Sequence, residues 1–147
     1  MAFNDLVAQK IKDFEQQGIP QVFERDLDLG NPQEPKRDNI VYVIVGARRC
    51  GKTYRLYQEI RRLQGQGVEL DRMLYFNFED ERLRPYEPSL LADVLDTFYA
   101  LYPAARGEGA YLFFDEIQEI PEWGAFLRRV VDMEKATVYV TGSSSKM

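Results

Sequence analysis

The residues best equipped for chemistry form one run, Gly46-Ala-Arg-Arg-Cys-Gly-Lys-Thr53, which fits the phosphate-binding loop pattern G-x-x-x-x-G-K-[ST] at every fixed position. Its two glycines let the backbone curl so that successive N–H groups point inward. A following helix adds its positive N-terminal end, and together they make an anion cradle. That cradle suits a di- or triphosphate. Lys52 is placed to reach the β- and γ-phosphates, and the Thr53 hydroxyl to ligate a magnesium ion that bridges them. A chance match in so short a chain is expected roughly once in two hundred sequences, so an incidental Gly-rich turn is set aside. The candidate nucleotide contacts are Gly46, Ala47, Arg48, Arg49, Cys50, Gly51, Lys52, Thr53 and the adjoining Tyr54.

A second constellation is acidic. Tyr111-Leu-Phe-Phe-Asp-Glu116 carries four apolar residues and then two carboxylates, where a buried strand would emerge at the C-terminal edge of a sheet. Ligands of open α/β sheets bind at that edge. Asp115 is the candidate magnesium partner and Glu116 the candidate base for an attacking water. A third run, Thr137-Val-Tyr-Val-Thr-Gly-Ser-Ser-Ser145, is a β-branched strand ending in hydroxyls. Ser143, and after it Ser144, is placed to bond the γ-phosphate or the lytic water; the bland reading is a Gly-Ser turn leaving a strand.

These residues need elements to hold them. Ile40 to Val45 is a continuous apolar run, as expected for a strand buried on both faces of a parallel sheet. From Thr53 onward, Leu56, Ile60 and Leu63 share one helical face until Gly65 and Gly67 end the pattern. The spacing further predicts a strand over Met73 to Phe78 and a helix capped by Ser89, with Leu91, Val94, Leu95, Phe98 and Tyr102 inward. Pro103 to Gly109 ends that helix. Next comes a helix bearing Trp123, Phe126, Leu127, Val130 and Val131, with Pro121 in its first turn. An amphipathic helix over Asn4 to Gln17 leads the chain, with Asn4 as its cap. A Pro- and Asp-rich linker follows, in which Arg25 and Leu27 are candidates to lie near an adenine. Alternating strands and helices of this kind give an α/β fold, a parallel sheet with right-handed crossovers and helices on both faces. Residues 1–36 read as helix plus linker and residues 37–147 as the core.

The succession G-A-R-R-C-G-K-T, Y-F-N-F-E-D, F-F-D-E-I-Q, a Trp-bearing helix and V-T-G-S-S resembles the prokaryotic AAA+-type ATP-binding proteins over about the last 110 positions. That resemblance implies a three-layer P-loop ATPase core that binds ATP or ADP with Mg2+. Gly46 to Thr53 then correspond to Walker A, Asp115 and Glu116 to Walker B, and Ser143 or Ser144 to sensor 1. It implies too that the Ser143 strand inserts between the Walker A and Walker B strands. Asn77 falls where such proteins often carry a polar residue that holds the Walker B glutamate inactive; it reads equally as an ordinary Asn at a strand end. Proteins of this type continue into a fifth strand, a helical lid and often a nuclease-like domain. The resemblance thus implies a core incomplete at its C-terminus, slow or inactive in hydrolysis, with no identifiable arginine finger, a group worth on the order of a thousandfold in rate. With no fifth strand, the Walker A strand lies at an edge, which predicts self-association into a homo-oligomer unless the N-terminal segment covers it.

Composition agrees with one globular domain: 147 residues, 45% hydrophobic and 13% aromatic, suffice for a real core. A net charge of −5 argues against a general nucleic-acid or anionic-membrane surface. The Arg61-Arg62 and Arg128-Arg129 pairs read as solvated helix faces. One cysteine excludes an internal disulfide, and the absence of histidine removes His-based catalysis. No stretch is long enough to span a bilayer, so a cytoplasmic setting is the default. Cys50 is either a small residue tolerated in the loop or a thiol, activated by the helix N-terminus, whose modification blocks nucleotide. Three functions compete: an ATPase core that drives or gates an appended domain, a nucleotide-dependent switch with little turnover, and a small-molecule kinase, which would need an acceptor site and a lid.

Overall fold

The computed structural model of the protein describes residues 3–18, 41–46 and 51–143. Its elements run in chain order: α1 (Phe3–Gln17), β1 (Val41–Gly46), α2 (Lys52–Gly65), β2 (Met73–Asn77), α3 (Leu90–Leu101), α4 (Ala104–Glu108), β3 (Ala110–Asp115), α5 (Trp123–Met133) and β4 (Ala136–Ser143). Short 3-10 turns at Leu70–Arg72, Glu81–Leu83 and Ile117–Glu119 join them. The four strands are all parallel in the order β1-β4-β3-β2, so β4 inserts between β1 and β3 as expected. Parallel neighbours need crossover helices, and these fall on both faces, the α/β layering the alternating pattern requires.

Two cores result. On one face Leu56, Ile60 and Leu63 of α2 are fully buried against Met73, Phe113 and Tyr139. At roughly 1.5–3 kcal/mol for each fully buried aliphatic side chain, that stripe alone holds α2 firmly to the sheet. On the other face α1, α3 and α5 bury Val7, Ile11, Val94, Phe98, Phe126 and Val130 over Leu74, Phe76, Leu112, Phe114, Val138 and Val140 of the strands. An aromatic rung crosses the α2 face, because the register aligns Tyr42, Tyr139, Phe113 and Tyr75 on β1, β4, β3 and β2. Tyr42 and Tyr139 stack at 4.9 Å, and Phe113 and Tyr139 at 4.7 Å. α1 borders the β2 margin: Leu6 and Val7 enter one core, Phe14 enters the other against Tyr75, and Lys10 pairs with Asp80 at 3.0 Å.

Several expectations need correction. β1 is the sheet's margin among the described strands, as expected, but it is not buried on both faces: Val43 and Val45 are 52% and 51% exposed. The continuous apolar run misled because α2 covers Tyr42 and Ile44, whereas on the opposite face Val41 packs into the other core and Val43 and Val45 stay exposed. Ser89 holds the cap position of α3, but its hydroxyl makes no capping bond. Pro121 precedes α5, which opens at Trp123 after Glu122 in a left-handed conformation. The break expected over Pro103 to Gly109 contains the single turn α4, pinned by fully buried Ala105. Ile40, Arg25 and Leu27 lie outside the described residues.

Candidate functional site

Because all four strands are parallel, their C-terminal ends meet at one edge, where Gly46 lies beside Ser143 and Asn77 beside Asp115. α2 begins at that edge. Gly51 adopts φ 91°, a left-handed conformation that costs a residue with a Cβ about 1–2 kcal/mol, and so delivers Lys52 and Thr53 as the first helical residues. Ala47, Arg48, Arg49 and Cys50 lie outside the described residues, as does Ser144.

Asp115 is fully buried and accepts from three hydroxyls. Thr53 donates to Oδ2 at 2.7 Å, Tyr75 to the same oxygen at 2.6 Å, and Thr141 to Oδ1 at 2.5 Å. The carboxylate is thereby fixed against the first turn of α2. Burial first, then the Asp115 charge, pushes the Tyr75 phenol well above its ordinary pKa, so it stays a donor. Tyr139 acts similarly in the same rung: its hydroxyl donates to Glu59 of α2 at 2.7 Å, and Glu59 in turn takes a two-pronged ion pair from Arg62. Burial and the Glu59 charge raise the Tyr139 phenol far above its usual range.

Glu116 turns sharply away from β3 with φ 57° and ψ 46°, a left-handed conformation rare for a residue with a Cβ. The turn is held by its own N–H, which donates to Thr141 Oγ1 at 2.9 Å. Its carboxylate then meets three groups. Oε1 pairs with Lys52 Nζ at 3.2 Å, and Oε2 accepts from Gln118 Nε2 at 2.8 Å, with Ser143 Oγ at 3.5 Å. Lys52, the candidate phosphate ligand, is thus held by the candidate base.

An oxygen-only donor pair, Thr53 Oγ1 and Asp115 Oδ2, fits a hard cation such as magnesium better than a thiolate- or imidazole-seeking metal. Among the described residues no cluster of three His, Cys, Asp or Glu could hold a metal alone. Magnesium commonly completes its shell with waters and substrate phosphates, so two protein ligands suffice.

Lys52, Thr53, Asp115, Glu116 and Ser143 therefore converge. Asn77 stands next to Asp115 in register, but its amide oxygen accepts from Glu79 N–H at 2.8 Å, its one hydrogen bond among the described residues. Tyr54 is 45% exposed and packs edge-on to Tyr57. Three residues that sequence reasoning passed over belong to the site: Thr141, Tyr75 and Gln118. Thr141 and Tyr75 lie two positions before Ser143 and Asn77, and the period-2 alternation of a strand puts such pairs on one face. That signal was present, but a Thr and a Tyr inside apolar runs read first as strand formers. Gln118 lies two positions past Glu116 in a 3-10 turn, for which the sequence carried no sign.

No helix among the described residues is long and apolar enough to cross a membrane. The AAA domain family model matches residues 38–147, three quarters of the chain. The chain is 38% identical over 109 residues to an uncharacterised protein of Methanocaldococcus jannaschii, MJ1544, covering 74% of this chain and 22% of that protein. It is 29% identical over 115 residues to an uncharacterised protein of Haemophilus influenzae, covering 76% of this chain and 27% of the other. The chain thus spans about a quarter of the length of these relatives. The matched segment holds the phosphate loop, the Asp115-Glu116 pair and the β4 tip, with strands in the order a P-loop NTPase requires, and the chain belongs to the AAA domain family.

Proposed function

We propose that the chain binds ATP with magnesium and hydrolyses it to ADP and phosphate, and that this cycle drives or gates the further domain joined to such a core in longer proteins. The observation that carries this reading is the meeting of Lys52 and Thr53, at the start of α2, with Asp115 and Glu116, at the end of β3. Lys52 leaves Glu116 and neutralises the β- and γ-phosphate oxygens. Thr53 and Asp115 would hold a magnesium ion, which would supply neutralisation of phosphate charge. Glu116, released on one oxygen, accepts a proton from a water aligned on the γ-phosphorus. The new P–O bond forms as the bond to the β–γ bridging oxygen breaks, and ADP carries away that electron pair. Ser143 borders the Glu116 carboxylate and is the candidate contact to the γ-phosphate; Asn77, by its place beside Asp115, is a secondary candidate at the same edge.

A second reading, a nucleotide switch with little turnover, is favoured by one observation: the Glu116 carboxylate is engaged by both Lys52 and Gln118. Glu116→Gln separates the two. An ATPase loses phosphate release while retaining bound ATP. A switch shows the same slow release before and after the change.

A further inference from the structure

Gln118 occupies a position that neither the phosphate loop nor the acidic pair explains. Its side-chain amide is used at both ends: Nε2 donates to Glu116 Oε2 at 2.8 Å, and Oε1 accepts from the backbone N–H of Ser143 at 3.2 Å. Only this orientation of the amide sets a donor against the carboxylate and an acceptor against the N–H. The turn that carries it is rigid, since Ile117 and Ile120 on either side are fully buried and Glu119 N–H bonds back to Glu116 C=O at 3.3 Å. Gln118 therefore ties the Glu116 side chain to the tip of β4.

We infer that Gln118 is the positioning residue for Glu116, holding one carboxylate oxygen in place when Lys52 exchanges the other for phosphate; this rests on the ATPase reading above. The two grips on Glu116 differ in kind. Lys52 is a cation that any phosphate competes for, whereas Gln118 is a neutral amide that phosphate attracts weakly. After the exchange, Oε2 keeps its bond to Gln118 and Oε1 turns to the attacking water. The Glu116 backbone is in a left-handed conformation and would relax without such restraint. Because the other end of the amide is fixed to Ser143 N–H, a shift of the β4 tip moves Glu116 directly, which gives that tip a lever on turnover. Asn77 has no such reach, with its amide oxygen given to Glu79.

The test compares the wild-type chain with Gln118→Met, Gln118→Glu and Lys52→Ala, each checked by thermal unfolding. Mg-ADP binding is followed by calorimetry, and single-turnover hydrolysis of Mg-ATP is followed over long incubation. Gln118→Met keeps the length without either hydrogen bond. Gln118→Glu keeps the acceptor for Ser143 N–H and loses the donor, so it remains informative if the Met variant loosens β4. Both variants are expected to lose turnover by roughly ten- to a hundredfold, the usual effect of a misplaced reactive group. Their ADP affinity and KM should stay within about twofold of wild type. Wild-type turnover in Gln118→Glu would reduce the residue to a β4 anchor and overturn the inference, leaving the ATPase reading intact. ADP binding that Lys52→Ala leaves unchanged, or no ADP binding at all, would overturn both. ADP binding without any wild-type turnover would leave no base to position and overturn this inference in favour of the switch.

Discussion

Thr141→Val should be among the most damaging conservative changes in this chain. The Thr141 side chain is fully buried, and its one oxygen both donates to Asp115 Oδ1 at 2.5 Å and accepts from Glu116 N–H at 2.9 Å. Valine has nearly the same shape, so no cavity opens and the effect isolates the two hydrogen bonds. A buried N–H left without an acceptor costs about 1–3 kcal/mol, and a hydrogen bond to a charged group contributes about 1.5–3 kcal/mol. Tyr75 and Thr53 still hold Asp115, so part of the second term is retained. The expected loss is about 3–4 kcal/mol, out of a total stability on the order of 5–15 kcal/mol. For a chain of this size that lowers Tm by about 10 °C. Thr97→Val is the control, because its hydroxyl donates only to the Asp93 carbonyl one turn back in α3, and it should cost less than about 1 kcal/mol. Urea unfolding of the three proteins measures both. A Thr141→Val loss below about 1 kcal/mol, equal to the control, would mean that this hydroxyl does not organise the acidic pair.

Three other outcomes are expected. Glu116→Gln should tighten Mg-ADP binding by roughly tenfold, about 1.4 kcal/mol, because Lys52 no longer has to abandon a buried carboxylate at 3.2 Å; unchanged or weaker ADP affinity in calorimetry would show that the pair does not compete with phosphate. Glu15 in α1 has both carboxylate oxygens buried with no partner among the described residues, and burial, aided by Asp71, raises its pKa from 4.5 to about 8. The folded state therefore binds that proton more tightly than the unfolded state, and stability falls as pH climbs from about 4.5 through 8. Glu15→Gln should stabilise the chain by on the order of 1 kcal/mol at pH 8 and hardly at all at pH 4, so a pH-independent difference would refute the assignment. Finally, Val43→Lys with Val45→Lys, placed on the exposed face of β1, should suppress concentration-dependent association seen by light scattering; a wild-type chain that stays monomeric at high concentration would contradict an associating edge.

Much of the fold could be read in advance because each strand and long helix carries its own period. The α2 face of Leu56, Ile60 and Leu63 follows from that period, whereas the strand order in which β4 parts β1 from β3 is as the family resemblance implied. Exposure at β1 was not legible, since Val43 and Val45 look the same in sequence whether or not a neighbour covers them. α4 was obscured by Pro103 and Gly109, which mark chain reversals whether or not one helical turn fits between them. At the site, residue types with strong chemistry were visible and their supports were not. Lys52, Thr53, Asp115 and Glu116 announce themselves by charge and spacing. Thr141 and Tyr75 act through hydroxyls that only the strand register brings to Asp115, and Gln118 through a turn set by the backbone of Glu116.

The claim that matters most is that this edge of the sheet binds a nucleotide through Lys52. Calorimetric titration of Mg-ATP and Mg-ADP into the chain, in parallel with Lys52→Ala, tests it most directly. Binding by the wild type that falls by roughly a hundredfold, about 2.7 kcal/mol, in the variant is the expected result. Equal binding by both, or none by the wild type, would contradict the account.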